Sequence, residues 1–110
     1  MEIQSITSKL PNGAEIYVFG SSLWRQHPND VDVLVVYDPT ICPPENAHSS
    51  VAESIRSLAD ALGRPIHMTL LTRQEERGCA FKLDTGCVRL EEALGANPAL
   101  QRTRDKAGRP

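Results

Sequence analysis

The feature that most restricts the fold is the apolar run VDVLVVY at Val31–Tyr37. Branching at Cβ suits a pleated strand and crowds a helix, so the run predicts a strand. Nearly every position is apolar, and we therefore expect this strand to be central in its sheet. Shorter strand and helix patterns alternate along the rest of the chain. Together they predict an α/β domain: a small mixed β-sheet flanked by helices.

The other elements are predicted from hydrophobic spacing and from turn residues. A capping box at Ser50–Glu53 predicts a helix start, and Gly63 with Pro65 predicts its stop. A second capping box, Thr72–Glu75, predicts a short helix. Residues 77–94 give mixed signals and are not placed. The remaining predictions are a weak helix over 2–10, a strand at Glu15–Phe19, a helix from Val51 to Leu62 and a strand at Ile66–Leu71.

Length and charge limit the function classes. The 110 residues fit one domain, residues 1–94, followed by a tail at 95–110 (GANPALQRTRDKAGRP) that is predicted to be disordered because it has few apolar residues. A net charge of -2 gives no strong nucleic-acid signal. With no signal peptide and no membrane span recognisable, the protein is expected to be cytoplasmic.

Two aspartates open the apolar strand. Asp30 and Asp32 stand two residues apart, so a strand places both carboxylates on one face. Adjacent, partly buried anions repel unless a cation compensates them, and oxygen ligands favour Mg²⁺ or Mn²⁺. The alternative is structural: Asp30 caps a turn after Pro28, and Asp32 is exposed at a strand edge.

Gly20-Ser21-Ser22 follows the preceding strand at the point where the chain must turn. Glycine lets a phosphate approach the backbone, and successive N–H groups with a serine hydroxyl form an anion site. Arg25, further along, is a candidate phosphate contact, with an ordinary surface role as the alternative. A phosphate turn followed by paired aspartates is typical of a site for a metal–nucleoside triphosphate.

At these residues the chain resembles minimal nucleotidyltransferases of the polymerase-beta-like superfamily. Phe19-Gly20-Ser21 and Asp30-Val31-Asp32-Val33 correspond to the family's motif, with a spacer, residues 22–29, that is slightly short. The resemblance implies a nucleotidyltransferase-like fold, with triphosphate held at Gly20 and Ser21 and metal ions at Asp30 and Asp32. Where members usually carry a third carboxylate, this chain has His67, which makes the carboxylate set incomplete. His67 is a candidate catalytic residue, and the alternatives are a structural strand histidine and a ligand for Mn²⁺ or another ion that tolerates imidazole.

The resemblance implies Mg²⁺-dependent transfer of a nucleotidyl group, AMP from ATP, to a hydroxyl of a protein or a small molecule. The alternative is a catalytically inactive nucleotide-binding or antitoxin-like module, because His67 replaces a carboxylate. In related minimal enzymes a HEPN-type helical protein or a second copy supplies the substrate-binding half. Asn97–Arg102 (NPALQR) is also similar to the peptide that results when translation reads into the end of an integron gene cassette.

Overall fold

Segments rich in β-branched and aromatic residues form the strands of the computed structural model, which describes residues 6–101. All three predicted strands are confirmed, the last of them one residue longer than expected. A further two-residue strand comes from the stretch that the sequence left unplaced. The strands are β1 (Glu15–Phe19), β2 (Val31–Tyr37), β3 (Ile66–Thr72) and β4 (Val88–Arg89).

The helices lie mostly in the second half of the chain. They are α1 (Pro44–Leu62), α2 (Arg73–Cys79), α3 (Phe81–Thr85) and α4 (Leu90–Ala96), with short 3-10 helices at Ser21–Leu23 and Pro98–Gln101. The capping box of α2 is confirmed, since Glu75 N donates to Thr72 Oγ1 at 3.0 Å and Thr72 N to Glu75 Oε1 at 2.9 Å.

The start predicted for the long helix is wrong. Helix α1 begins at Pro44, so Ser50 and Glu53 lie inside it and do not form its cap. A proline has no N–H to satisfy and its φ suits the first helical turn, which lets the helix begin without a side-chain cap. Its predicted end is confirmed, because Gly63 adopts φ 67° and donates its N–H to Ala59 O at 2.8 Å.

The sheet is mixed, with the strand order β3-β2-β1-β4. β1 pairs antiparallel with β2 and with β4, whereas β2 and β3 are parallel. A parallel pair needs a long crossover connection, and α1 forms most of it. The predicted α/β class with a small mixed sheet is therefore confirmed.

The two faces of the sheet differ in their cover. One face, with Val18, Val31, Val33 and Val35, packs in the main core together with residues of α1 and α4. The other face carries Tyr17, Leu34 and Val36, against which Phe19, Leu71 and Phe81 pack. Because side chains alternate along a strand, Asp32 lies on this second face, beyond Leu34. We call it the site face.

The chain end departs from the prediction. Helix α4 continues past residue 94 to Ala96, and Leu100 is fully buried in the main core. The disordered tail predicted over 95–110 is thus corrected for residues 95–101, which are anchored by burial of Ala99 and Leu100 and by side-chain hydrogen bonds of Asn97. Residues 102–110 lie outside the described part. Residues 2–5 of the first predicted helix, which covers residues 2–10, also lie outside it. Within the described part of that helix, Ile6 and Thr7 are helical.

Residues 77–94, which the sequence left unplaced, contain α3, β4 and the start of α4. Each of these elements is too short to show a periodic pattern. Among the described residues, no helix has both the length and the apolar character that crossing a bilayer requires.

Candidate metal and phosphate site

Neighbouring strands bring three ionisable side chains together at one end of the site face. Asp32 is opposite His67 on β3 and opposite Phe19 on β1. Asp30 precedes β2, and the next residue continues the ladder, since Val31 N donates to Pro65 O at 3.0 Å. The prediction that the two aspartates share a face is confirmed, because Val31 and Val33 between and after them are fully buried.

The three side chains form a compact ligand set. His67 Nδ1 lies 3.7 Å from Asp30 Oδ2 and 3.6 Å from Asp32 Oδ1. One ligand atom from each residue lies within 4.8 Å of the others. Octahedral ligands about 2.1 Å from an ion are about 3 Å apart, so small rotations of these side chains suffice to place a divalent cation among them.

Exposure leaves the cluster accessible from solvent. The side chain of His67 is 63% exposed, that of Asp30 42% and that of Asp32 34%. The donors, two carboxylates and one imidazole, suit Mn²⁺ and similar ions better than Mg²⁺, which prefers oxygen.

Gly20 brings the turn after β1 against Asp32. Its φ of 83° and ψ of -164° are accessible almost only to glycine. A Cβ at this position would lie 2.6 Å from Asp32 Oδ2. The missing side chain therefore lets the carboxylate of Asp32 approach the backbone of the turn that is predicted to hold phosphate.

The other residues of the predicted phosphate turn are placed unequally. Ser21 is partly exposed at the start of a 3-10 helix, whose first bond is donated by Leu23 N to Gly20 O. The N–H groups of Ser21 and Ser22 precede this bond and have no acceptor inside the helix. Ser22 is 1% exposed and its Oγ donates to Phe19 O at 3.5 Å. The Ser22 hydroxyl points into the protein, so a phosphate contact of Ser22 can come only from its backbone N–H.

Arg25 is exposed at the surface of the spacer. Its guanidinium lies 5.6 Å from the ring centroid of Trp24, which is itself 71% exposed. The structure thus places Arg25 on the same loop as the phosphate turn and in contact with an aromatic ring, and no ion pair of Arg25 is found among the described residues.

The chain matches no protein-family model, no curated protein and no solved structure. Its family is therefore not shown by comparison. The interpretation of the site depends on the geometry of its own residues.

Two residues near the site were missed by the sequence analysis. Asn97 and Arg64 are buried and bind backbone carbonyls of the spacer that joins the phosphate turn to Asp30. Arg64 stands between Gly63 and Pro65, which indicated only the end of a helix. For Asn97 a signal existed: Ala99 and Leu100 are apolar residues close behind it, in a stretch that is otherwise polar.

Proposed function

We propose that the protein binds a nucleoside triphosphate together with a divalent cation and transfers its nucleotidyl group to a hydroxyl. The single observation that carries the proposal is the contact between Gly20 and Asp32, because it joins a backbone turn suited to phosphate to a cluster suited to a metal. This arrangement supports the resemblance to polymerase-beta-like nucleotidyltransferases and their fold. ATP is the proposed donor, and AMP the transferred group.

Asp30 and Asp32 hold the cation in this proposal. When bound, the cation supplies charge neutralisation for the triphosphate and for the leaving pyrophosphate. The backbone N–H groups of Ser21 and Ser22 orient the phosphates. The acceptor oxygen forms a bond to the α-phosphorus, the bond from that phosphorus to the β-phosphate oxygen breaks, and the hydroxyl proton passes to Nε2 of His67.

His67 also favours a second candidate function. A carboxylate at position 67 would bind the cation more tightly than the imidazole that is present. Without this third carboxylate, the site is less suited to catalysis than to binding. The second candidate is a catalytically silent nucleotide-binding module, with an antitoxin-like role, that uses the same site face to bind a partner. The two functions share the nucleotide site and differ in whether transfer occurs.

We propose that the acceptor is bound by a second chain. The site face ends at the exposed cluster, and the described residues form no further layer beyond it. A HEPN-type helical protein or a second copy of this chain would supply that surface, and we place the protein in the cytoplasm, where ATP is available.

The test measures binding and transfer separately. ATP labelled at the α-phosphate is incubated with Mn²⁺ or Mg²⁺, the protein and the candidate partner, and Mn²⁺ and ATP binding are titrated by calorimetry. We expect Asp30→Asn with Asp32→Asn to weaken Mn²⁺ binding at least about tenfold and to abolish transfer, because both anionic ligands are lost. The matched control, Asp60→Asn with Asp84→Asn, removes two exposed carboxylates of α1 and α3 and keeps both activities.

Two variants at His67 separate the candidates. If His67 is the base and Asp30 and Asp32 alone hold the cation, His67→Gln lowers transfer by about 10²–10⁴ and leaves Mn²⁺ binding nearly unchanged. If the module is silent, the wild type transfers nothing and His67→Asp gains Mg²⁺ binding or transfer. Failure of the wild type to bind ATP at millimolar concentration, with or without Mn²⁺, would contradict both candidates.

A further inference from the structure

The side-chain amide of Asn97 binds the spacer between the phosphate turn and Asp30. Asn97 Nδ2 donates to Ser22 O at 2.8 Å and to Arg25 O at 2.9 Å. These carbonyls lie on either side of Trp24, so a single side-chain NH₂ group uses both of its hydrogens to fix the outward loop of the spacer. Asn97 is only 9% exposed, which excludes water as an easy substitute for either bond.

Arg64 fixes the other end of the spacer. Its Nε donates to Pro28 O at 2.8 Å, two residues before Asp30. Its Nη1 donates to Leu62 O at 3.1 Å and to Leu100 O at 3.4 Å. The guanidinium, in a residue 6% exposed, therefore joins the spacer, the end of α1 and the chain end.

The segment that carries Asn97 is itself anchored. Asn97 N donates to Ala93 O at 2.9 Å, which continues α4, and Leu100 N donates to Asn97 O at 3.0 Å. Leu100 is fully buried in the main core and Ala99 is 8% exposed. The backbone of Asn97 is thus fixed on both sides by hydrogen bonds and by burial of the residues that follow it. Its side chain can therefore restrict the motion of the spacer.

We propose that Asn97 is a positioning residue for the phosphate turn. By holding the carbonyls of Ser22 and Arg25, it fixes the backbone whose N–H groups face the triphosphate, and it makes residues 97–101 part of the site. The inference rests on the proposed function for the ligand, whereas the fixing of the spacer stands on the contacts alone. A preformed turn binds more tightly because less conformational freedom is lost on binding.

Trp24 provides a reporter for the spacer. It is the only tryptophan of the chain, and it stands between the two carbonyls that Asn97 binds. Its fluorescence anisotropy reports motion of this loop without any ligand. We expect Asn97→Leu, which keeps the size and removes the donor, to lower the anisotropy of Trp24 relative to the wild type.

Binding gives the second measurement. We expect Asn97→Leu to raise the Kd for ATP about tenfold, in line with the loss of two buried hydrogen bonds, while the Kd for Mn²⁺ alone changes less than about twofold. A merely structural role would weaken both ligands together. The matched control is Ser54→Ala, which removes another buried hydrogen bond to a carbonyl, Ser54 Oγ to Ile6 O at 3.0 Å, and is expected to change neither anisotropy nor ATP binding.

The outcomes are separable. Unchanged Trp24 anisotropy in folded Asn97→Leu would overturn the inference, and so would equal loss of ATP and Mn²⁺ affinity. If the wild type binds no ATP, the proposed function fails, and the anisotropy still decides whether Asn97 fixes the spacer. Asn97→Ala is measured in parallel. Should neither variant fold, NMR exchange of the Asn97 side-chain NH₂ in the wild type decides, with slow exchange expected relative to the exposed Asn12 and Asn46.

Discussion

The contact between Gly20 and Asp32 shows how one absent side chain shapes the site. Asp32 Oδ2 occupies the space that a Cβ on residue 20 would need. The positive φ of Gly20 turns the chain sharply at the end of β1, so its backbone meets the carboxylate of the neighbouring strand. Glycine is therefore required at position 20 for two reasons: the positive φ and the lack of space for a Cβ.

Replacement of Gly20 should damage both stability and the site. We expect Gly20→Ala to lower the free energy of unfolding by about 1–3 kcal/mol, because alanine is strained at this φ and ψ, and to weaken Mn²⁺ binding by displacing Asp32. Urea unfolding and calorimetric titration measure the two effects. Gly78→Ala is the matched control: Gly78 lies in α2 with nothing within 4 Å of an added Cβ, so a gain of up to about 1 kcal/mol is expected. Equal behaviour of the two variants would contradict this reasoning.

The sequence predicted this site only in part. The carboxylate pair was predictable because its spacing of two in a strand fixes the face. His67 was indicated only by the resemblance, in which it stands where a third carboxylate is usual. The inward orientation of the Ser22 side chain was not predictable, because a serine in a turn suits either orientation. Contacts such as Asn97 with Ser22, which are 75 residues apart, depend on the complete fold.

At the scale of elements, the two-residue strand β4 is held to the sheet by side chains as well as by its ladder. The Tyr17 hydroxyl donates to Glu15 Oε1 at 2.7 Å, and Arg89 Nη1 lies 3.4 Å from Glu15 Oε2. The hydrogen bond from Tyr17 is the main cause that lowers the pKa of Glu15, and Arg89 acts in the same direction. Burial raises the pKa of Tyr17, which keeps this donor protonated.

These contacts predict a dependence of stability on acid. Because the pKa of Glu15 is lower in the folded state, its contribution is complete above the ordinary value of about 4.3 and is lost as the pH falls through the folded value. We expect Glu15→Gln to cost about 1 kcal/mol or less at pH 7 and nearly nothing near pH 3, measured by urea unfolding. Tyr17→Phe should show the same trend, and the double variant should lose less than the sum. A cost for Glu15→Gln that grows toward acid would contradict the assignment.

The predictability of each element followed from its length and its end signals. β2 was predictable because a run of seven mostly apolar, β-branched residues favours a buried strand. The end of α1 was predictable because Gly63 is a residue that readily adopts the left-handed conformation found there. The start of α1 was not predictable. Pro44 begins the helix without a side-chain cap, whereas Ser50 and Glu53 match a capping-box pattern inside it. The five residues of α3 and the two of β4 derive their stability from packing, which no local pattern reveals.

At the scale of the whole molecule, the chain end closes the core. Helix α1, helix α4 and the 3-10 helix at Pro98–Gln101 meet under the sheet, and Leu100 packs in the same cluster as Val18, Val33 and Leu58. A domain of this size has a small margin of stability, so a single buried leucine represents a substantial share. The segment that resembles a cassette read-through peptide is thus part of the folded unit up to residue 101.

Two leucines test whether the chain end contributes to the stability of the core. Leu100 is fully buried and Leu83, on α3, is 84% exposed, so the same substitution is made in opposite environments. We expect Leu100→Ala to lower the free energy of unfolding by about 2–5 kcal/mol, through lost burial and the cavity left behind, and Leu83→Ala to change it by less than about 0.5 kcal/mol. Urea unfolding at neutral pH measures both. Equal stability of the two variants would show that residues 97–101 are the dispensable tail that their composition predicts.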